Sequence, residues 1–300
     1  MLPSNVIAFM RYISPLRYPG GKARIAPFAA ELLASQNPRP RRYAEPFAGG
    51  AGSALTLLVG EHVDVIHIND LNPGIAAFWR CVFNQTKRLI KRIEDTDVSL
   101  ETWYLAREIY DHPKRHGDLE LGFATFFLNR CNRSGILNAR PIGGLEQTGQ
   151  WKIDARFNRE NLTQRIAYIG SYRRRVELTE LDARDFLAGL SPHRRDMLVY
   201  VDPPYLGQGD DLYLDRLSAE DHHDLATKLR HSKLKWFLTY DADDRVTDEL
   251  YVKFRCAEFD IKHTAQVNHM GTEFVVFADT IAVPDDLQIL TTAKGRWIVA

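Results

Sequence analysis

The feature that most constrains this chain is a repeated unit in which a short apolar run ends in an acid and is followed by a helical pattern. Residues 63–68 (VDVIHI) end at Asn69–Asp70, and 176–181 (VELTEL) end at Asp182. Residues 197–201 (MLVYV) end at Asp202, and 235–240 (KWFLTY) end at Asp241. An earlier run, 43–47 (YAEPF), leads into a glycine-rich turn and the short helical stretch SALTLL. Helical patterns occupy 23–34, 183–190, 218–230 and 243–251, and Pro73 after Asn72 suits the first position of another helix. Strands alternating with helices predict an α/β fold with a mainly parallel sheet. FRCAEFDI and TEFVVFAD have no helix between them and predict an antiparallel hairpin at one edge.

The rhythm breaks over residues 93–171. Helical patterns at 100–110 and 119–130 give way to RSGILNARPIGGLEQTGQWKI, rich in Gly, Asn and Gln. We read 1–92 together with 172–300 as one domain and 93–171 as an inserted, mostly helical subdomain. A chain of 300 residues has room for both. With 45% hydrophobic and 26% charged residues, a disordered, collagen-like or coiled-coil architecture is excluded. No run of eighteen apolar residues predicts a membrane span. The segment MLPSNVIAFMRYISPLRYPGGK lacks the layout of a signal peptide. Cys81, Cys131 and Cys256 form no C-x-x-C pair, so neither a disulfide framework nor a cysteine zinc site is expected, and a cytoplasmic setting is. His222–His223 is expected on a surface helix and His67 as a packed strand residue, so no metal site is expected.

Three motifs carry chemistry. Phe47-Ala-Gly-Gly-Ala-Gly52 follows a strand and precedes a helix, where glycines let a ligand approach backbone and helix N–H groups. Asp70 closes the next strand, where an acid can accept hydrogen bonds from ribose hydroxyls. Together they point to a nucleoside cofactor; NAD competes, although G-x-G-x-x-G is not matched. Asp202-Pro203-Pro204-Tyr205 ends an apolar strand. Its prolines lack N–H donors, so it offers carboxylate and carbonyl acceptors beside an aromatic face. An amino group on a planar base is suited by both. The third motif, Leu16-Arg-Tyr-Pro-Gly-Gly-Lys22, is not a phosphate-binding P-loop and taken alone reads as a turn into the first helix.

In order, LRYPGGK, EPFAGGAGSAL, IND, FFLNR, RFNRENL, DPPY and FLTYDADDRVTDELY resemble the Dam-like (D12) class of DNA adenine-N6 methyltransferases from about residue 14 to 280. The resemblance implies a Rossmann-like catalytic domain that uses S-adenosyl-L-methionine and an inserted target-recognition domain. By position it implies cofactor contacts for Tyr18, Lys22, Phe47, Gly49, Gly50, Asp70, Asp182 and Asp202. It implies Asp202, Pro203, Pro204 and Tyr205 as the catalytic set acting on a flipped-out adenine in duplex DNA. No covalent enzyme intermediate is required, and no Pro-Cys nucleophile occurs. The insert's Asn129, Arg130, Arg133, Asn138, Arg140, Lys152 and Arg156 are the expected DNA contacts, interleaved with Phe126, Phe127, Trp151 and Phe157. Asn138 stands where GATC-specific relatives carry a base-reading arginine, which puts a GATC site in doubt. An RNA substrate and a catalytically silent DNA-binding module are the competing readings. A monomer or weak dimer is expected, with a cognate restriction or defence nuclease as a candidate neighbour.

The chain is neutral overall, but residues 1–175 hold 25 Lys/Arg against 16 Asp/Glu, and residues 176–300 hold 14 against 23. That asymmetry predicts a basic DNA-facing cleft between insert and catalytic part, with the acid turned away.

Overall fold

The computed structural model describes residues 13–18, 22–206, 217–263 and 269–299. Eight strands form one sheet in the order β3-β2-β1-β4-β5-β7-β6-β8. The parallel part contains β1 (Arg42–Glu45), β2 (Val65–Asn69), β3 (Val176–Thr179), β4 (Met197–Val201) and β5 (Lys235–Asp241). The hairpin strands β6 (Arg255–His263) and β7 (His269–Phe277) join it antiparallel, with β7 against β5. A short strand that the sequence patterns do not reveal, β8 (Arg296–Val299), pairs with β6 and forms the outermost edge. Its Trp297 and Ile298 are exposed, so it carries no alternating buried face to signal it.

A 3-10 turn at Lys22–Ile25 precedes α1 (Ala26–Ser35). α2 is Gly52–Val59, and α3 is Pro73–Asn84. Pro73 takes the first helical position of α3, and the Asn72 side chain accepts from the N–H groups of Gly74 and Ile75. Two helices fall where the pattern is not legible, α4 (Thr86–Glu94) and, later, α7 (Arg159–Gly170). Between them lie α5 (Leu100–Asp111) and α6 (Asp118–Cys131). α8 (Ala183–Gly189) and α9 (Ala219–Arg230) match expectation. The helix expected over 243–251 is instead a short π-helical turn at Val246–Leu250, entered just after Asp243 accepts from the Arg245 backbone N–H.

α6 is buried on nearly every side and packs on α3. The two helices approach closely because Gly122 lacks a side chain: a Cβ there would stand 2.8 Å from the Ala77 carbonyl oxygen. Phe126 stacks on Phe78, and Phe157 packs against Phe126 and Phe127. The 93–171 interval thus shares a continuous apolar core with the sheet-flanking helices. Among the described residues no helix is long and apolar enough to cross a membrane. Cys81, Cys131 and Cys256 are buried and free.

Among the described residues, two histidines are inside. His222 turns inward from α9 rather than lying on the surface, and its Nδ1 meets the Tyr240 hydroxyl at 2.8 Å. His67, on β2, sits between Arg42 Nη1 (3.1 Å from Nε2) and Glu177 Oε2 (3.2 Å from Nδ1). An arginine can only donate, so Nε2 accepts and Nδ1–H donates to Glu177. Burial pushes His67 down to about 4; Arg42 and His193 add to this, and Glu177 opposes it. The folded pKa lies below the unfolded one, so this contribution is complete above pH about 6.5 and is lost as pH falls towards 4. His67→Gln should flatten the fall in unfolding free energy between pH 7 and pH 5 in urea titrations, leaving the smaller parts from His62 and His222, which burial also lowers. A wild-type slope over that range would refute the assignment.

Candidate active site

Parallel strands put all their carboxyl ends on one side, so the residues after β1, β2, β3, β4 and β5 converge there. The strand order reverses between β1 and β4, which opens a crevice at that edge. The glycine turn lies on one flank of the crevice and Asp202–Tyr205 on the other.

The turn is built by distant partners. Gly49 has φ +48°, and a Cβ there would stand 2.6 Å from the Tyr18 ring, with one on Gly50 3.3 Å from the same ring. The Gly49 N–H donates to Asp70 Oδ2 (2.8 Å), and its carbonyl accepts from Trp79 Nε1 (2.8 Å). Asp70 Oδ1 accepts from the Asn72 N–H (3.0 Å). α2 lacks a side-chain cap of its own, because Ala51 occupies the capping position; buried Glu45 supplies the acceptor, taking the Ala54 N–H at 2.8 Å. Phe47 is half-buried against the core. Asp182 caps α8, with its carboxylate held by Arg184 in a two-point pair at 2.8 Å each, and the same guanidinium reaches Asp221 and Asp224. These bonds hold the Asp182 carboxyl below its ordinary range. The Lys22 side chain and Pro19–Gly21 lie outside the described residues.

On the other flank, Asp202 Oδ1 accepts from Thr239 Oγ1 at 2.8 Å, and that hydroxyl also meets Tyr200 at 2.9 Å. The Tyr205 hydroxyl donates to Glu273 Oε1 at 3.0 Å, and Asp241 Oδ1 accepts the Leu206 N–H at 3.2 Å. Pro203 is buried and Pro204 half-buried between them. Thr239 lies inside the FLTYDADDRVTDELY run and Glu273 inside the TEFVVFAD run, but the motifs do not mark either as a site residue. Their one signal is polarity inside β5 and β7, and both are buried. Tyr240 is fully buried against His222 and Tyr251, so it packs and does not wall the crevice.

The expected DNA contacts divide into inward and outward groups. Asn129 is buried: its Oδ1 accepts the Arg17 N–H (2.7 Å), and its Nδ2 donates to the carbonyls of Arg17 and Gly135. Arg130 is largely buried too and donates to the carbonyls of Arg156 and Pro15. Desolvation, helped by Arg17 and Arg165, lowers its pKa to about 9. In this structure both residues brace the protein's own chain, Asn129 holding Arg17 and Arg130 reaching Pro15. Arg133, Asn138, Arg140, Lys152 and Arg156 are exposed. Asn138 is steadied by Arg107 Nη2 (2.6 Å), and Lys152 Nζ reaches the Gln147 carbonyl (2.6 Å). Among the described residues no His/Cys/Asp/Glu group is placed to hold a metal.

The sheet order, the crevice at its switch point and the glycine turn facing an acid define an α/β fold of the nucleotide-crevice kind. The chain belongs to the D12 class N6 adenine-specific DNA methyltransferase family, whose model matches residues 18–270. It is 25% identical over 203 residues to the type II methyltransferase M.MjaIII of Methanocaldococcus jannaschii, a match covering 63% of this chain and 68% of that relative. Among solved structures it is similar to the rRNA methyltransferase aviRa from Streptomyces viridochromogenes, at 15% identity and a TM-score of 0.39, covering 87% of this chain and 86% of that one.

Gly49→Ala should cost roughly 1–2 kcal/mol for a left-handed backbone, plus the clash with Tyr18. Tyr18→Ala in the same chain removes the clash but not the backbone strain. Calorimetry should therefore show a smaller penalty for Gly49→Ala in the Tyr18→Ala background than alone. Equal penalties would rule out the contact.

Proposed function

We propose that this protein transfers the methyl group of S-adenosyl-L-methionine to N6 of an adenine turned out of duplex DNA. The observation that carries the reading is the placing of Asp202 and Tyr205, each anchored from a neighbouring strand, across one crevice from the Gly49–Asp70 turn. The residues present fit a nucleoside-bearing cofactor: Gly49 and Gly50 admit the Tyr18 ring against the turn, and Asp70 holds the Gly49 N–H, so an aromatic face and a carboxylate stand together after β1 and β2. We assign Tyr18, Phe47, Gly49, Gly50 and Asp70 to the cofactor, with Lys22 and Asp182 completing the set by family position. The bound cofactor supplies a methyl group on a sulfonium, an electrophile strong enough to need no further activation.

The chain's residues supply position and polarity. The adenine N6 lone pair is delocalised into the ring. Accepting its hydrogens at the Asp202 carboxylate and the Pro203 carbonyl favours a more tetrahedral nitrogen pointed at the methyl carbon. Thr239 holds one Asp202 oxygen at 2.8 Å and so fixes the carboxylate's rotamer. Glu273 fixes the Tyr205 hydroxyl, which holds the ring as a stacking face for the extruded base. Asp202 would also be placed to take the surplus N6 proton once a bound methyl donor had given up its methyl group.

The interval 93–171 is the DNA-reading part in this assignment. Its outward cations Arg133, Arg140, Lys152 and Arg156 flank in sequence the loop that carries Trp151, which is 65% exposed. The loop is braced from within: the Gln147 amide donates to the carbonyls of Ile142 and Gly144 and accepts the Ile153 N–H. An exposed tryptophan on a braced loop suits contact with stacked bases. Asn129 and Arg130 serve here as internal braces for that surface. By analogy with M.MjaIII, a cognate type II nuclease is the partner to seek, and the cytoplasm is the expected compartment. Of the acids in residues 176–300 that are expected to face away, Asp210, Asp211 and Asp215 lie outside the described residues.

Tritiated S-adenosyl-L-methionine and duplex DNA should yield N6-methyladenine. Asp202→Ala should lower turnover by at least ~100-fold while retaining cofactor binding by calorimetry. Wild-type turnover in that variant would overturn the catalytic assignment, and a preference for structured RNA would overturn the substrate. Glu273→Ala should lower turnover more than cofactor affinity. Trp151→Ala should weaken DNA binding by ~1–3 kcal/mol, with recovery in Trp151→Phe, as measured by fluorescence anisotropy. An unchanged affinity would remove Trp151 from the interface.

A further inference from the structure

At the opposite pole, where the parallel strands begin, Pro38, Arg194, Arg195, Lys233, Lys235 and Thr280 line a cleft of about 320 Å3. They come from the segments before β1, β4 and β5, from the first residue of β5 (Lys235) and from the segment after β7. Four of the lining residues are cations and none is an acid. All four come from the acidic half of the chain, which has only 14 Lys/Arg in all. Other cations at this pole are neutralised: Arg41 pairs with Asp64, Arg42 with Glu177 and Asp196, and Arg175 with Glu61. Among the described residues the four cleft cations pair with no carboxylate. Arg194 reaches only the Ser191 carbonyl of its own turn (3.3 Å), and Lys235 only the Pro38 carbonyl (3.4 Å).

Four like charges held around one cleft repel each other, and an anion seated among them relieves that repulsion. The lining contains no aromatic ring on which a base could stack, so it can recognise phosphate but not sequence. We propose that this cleft binds the phosphate backbone of a second DNA segment, distant from the one presented to the crevice. The inference rests on the DNA-methyltransferase reading and adds a non-catalytic site to it. An enzyme that holds two segments can pass between them without full release.

The test titrates the full chain with short fluorescent duplexes at low salt and counts bound duplexes by sedimentation. Two per chain are expected, the second weaker and more salt-sensitive. Arg194→Gln/Arg195→Gln/Lys233→Gln should lose the second duplex and lower the salt exponent of the remaining weak binding by about 2.7 for three contacts. Arg194→Lys/Arg195→Lys should keep the second duplex. Methyl transfer to a saturating short duplex should be unchanged in both variants. One duplex per wild-type chain at every salt, or two retained in the triple variant, would overturn the proposal. So would binding of inorganic tripolyphosphate without any second duplex, which would assign the cleft to a free polyphosphate. Methyl transfer is read separately, so loss of the catalytic reading would not be mistaken for loss of this one.

Discussion

The crevice depends on one buried amide. Asn69 is 1% exposed and has all four of its side-chain hydrogen-bonding positions occupied. Its Nδ2 donates to the carbonyls of Pro46 and Leu181, at 3.0 and 2.9 Å. Its Oδ1 accepts from Thr179 Oγ1 and from the Leu181 N–H, at 2.7 and 3.0 Å. Its own carbonyl takes the Ala48 N–H at 2.8 Å. The carboxyl ends of β1, β2 and β3 are therefore tied at one point. Each partner left buried without it would cost about 1–3 kcal/mol, so the tie is strongly enforced. Because Asn69 is held, the adjacent Asp70 stands where it can receive the Gly49 N–H, and the left-handed glycine turn follows from that.

A second amide does the same for a longer-range contact. Asn129 pairs with both the N–H and the carbonyl of Arg17, as a strand neighbour would, although it projects from a helix. Tyr18, whose ring covers the glycine turn, is the next residue. The end of α6 is thus coupled through one side chain to the floor of the crevice. Asn132, one turn on, accepts from Trp103 Nε1 and donates to the carbonyls of Ile136 and Leu137, shaping the exposed segment that carries Asn138 and Arg140. The exposed segment and the glycine turn share this scaffold.

The crevice's opposite flank depends on sheet register. Glu273 lies across from Asp241 in the β5–β7 ladder. That register brings a carboxylate from the late hairpin to the Tyr205 hydroxyl and leaves Asp241 to hold the Leu206 N–H. A one-residue slip would turn Glu273 to the other face and leave Tyr205 without its anchor.

Strand-and-acid order was legible in the chain itself, because alternating burial and chain reversal leave local marks: apolar runs, Pro73 after Asn72, glycines at the turn. So was the family, because the glycine-turn and D-P-P-Y motifs that carry the resemblance are contiguous residues. Short exposed β8 and the helices α4 and α7 left weaker marks. The fates of Asn129 and Arg130 were decided only in three dimensions. A polar side chain looks the same in sequence whether it faces solvent or a backbone segment more than a hundred residues away. Thr239 and Glu273 became visible as anchors only when β5 and β7 were in register. The four cations at the far pole belong to two short stretches, 194–195 and 233–235, some forty residues apart in an acidic half, and it is the sheet that collects them around one cleft while pairing their neighbours with acids.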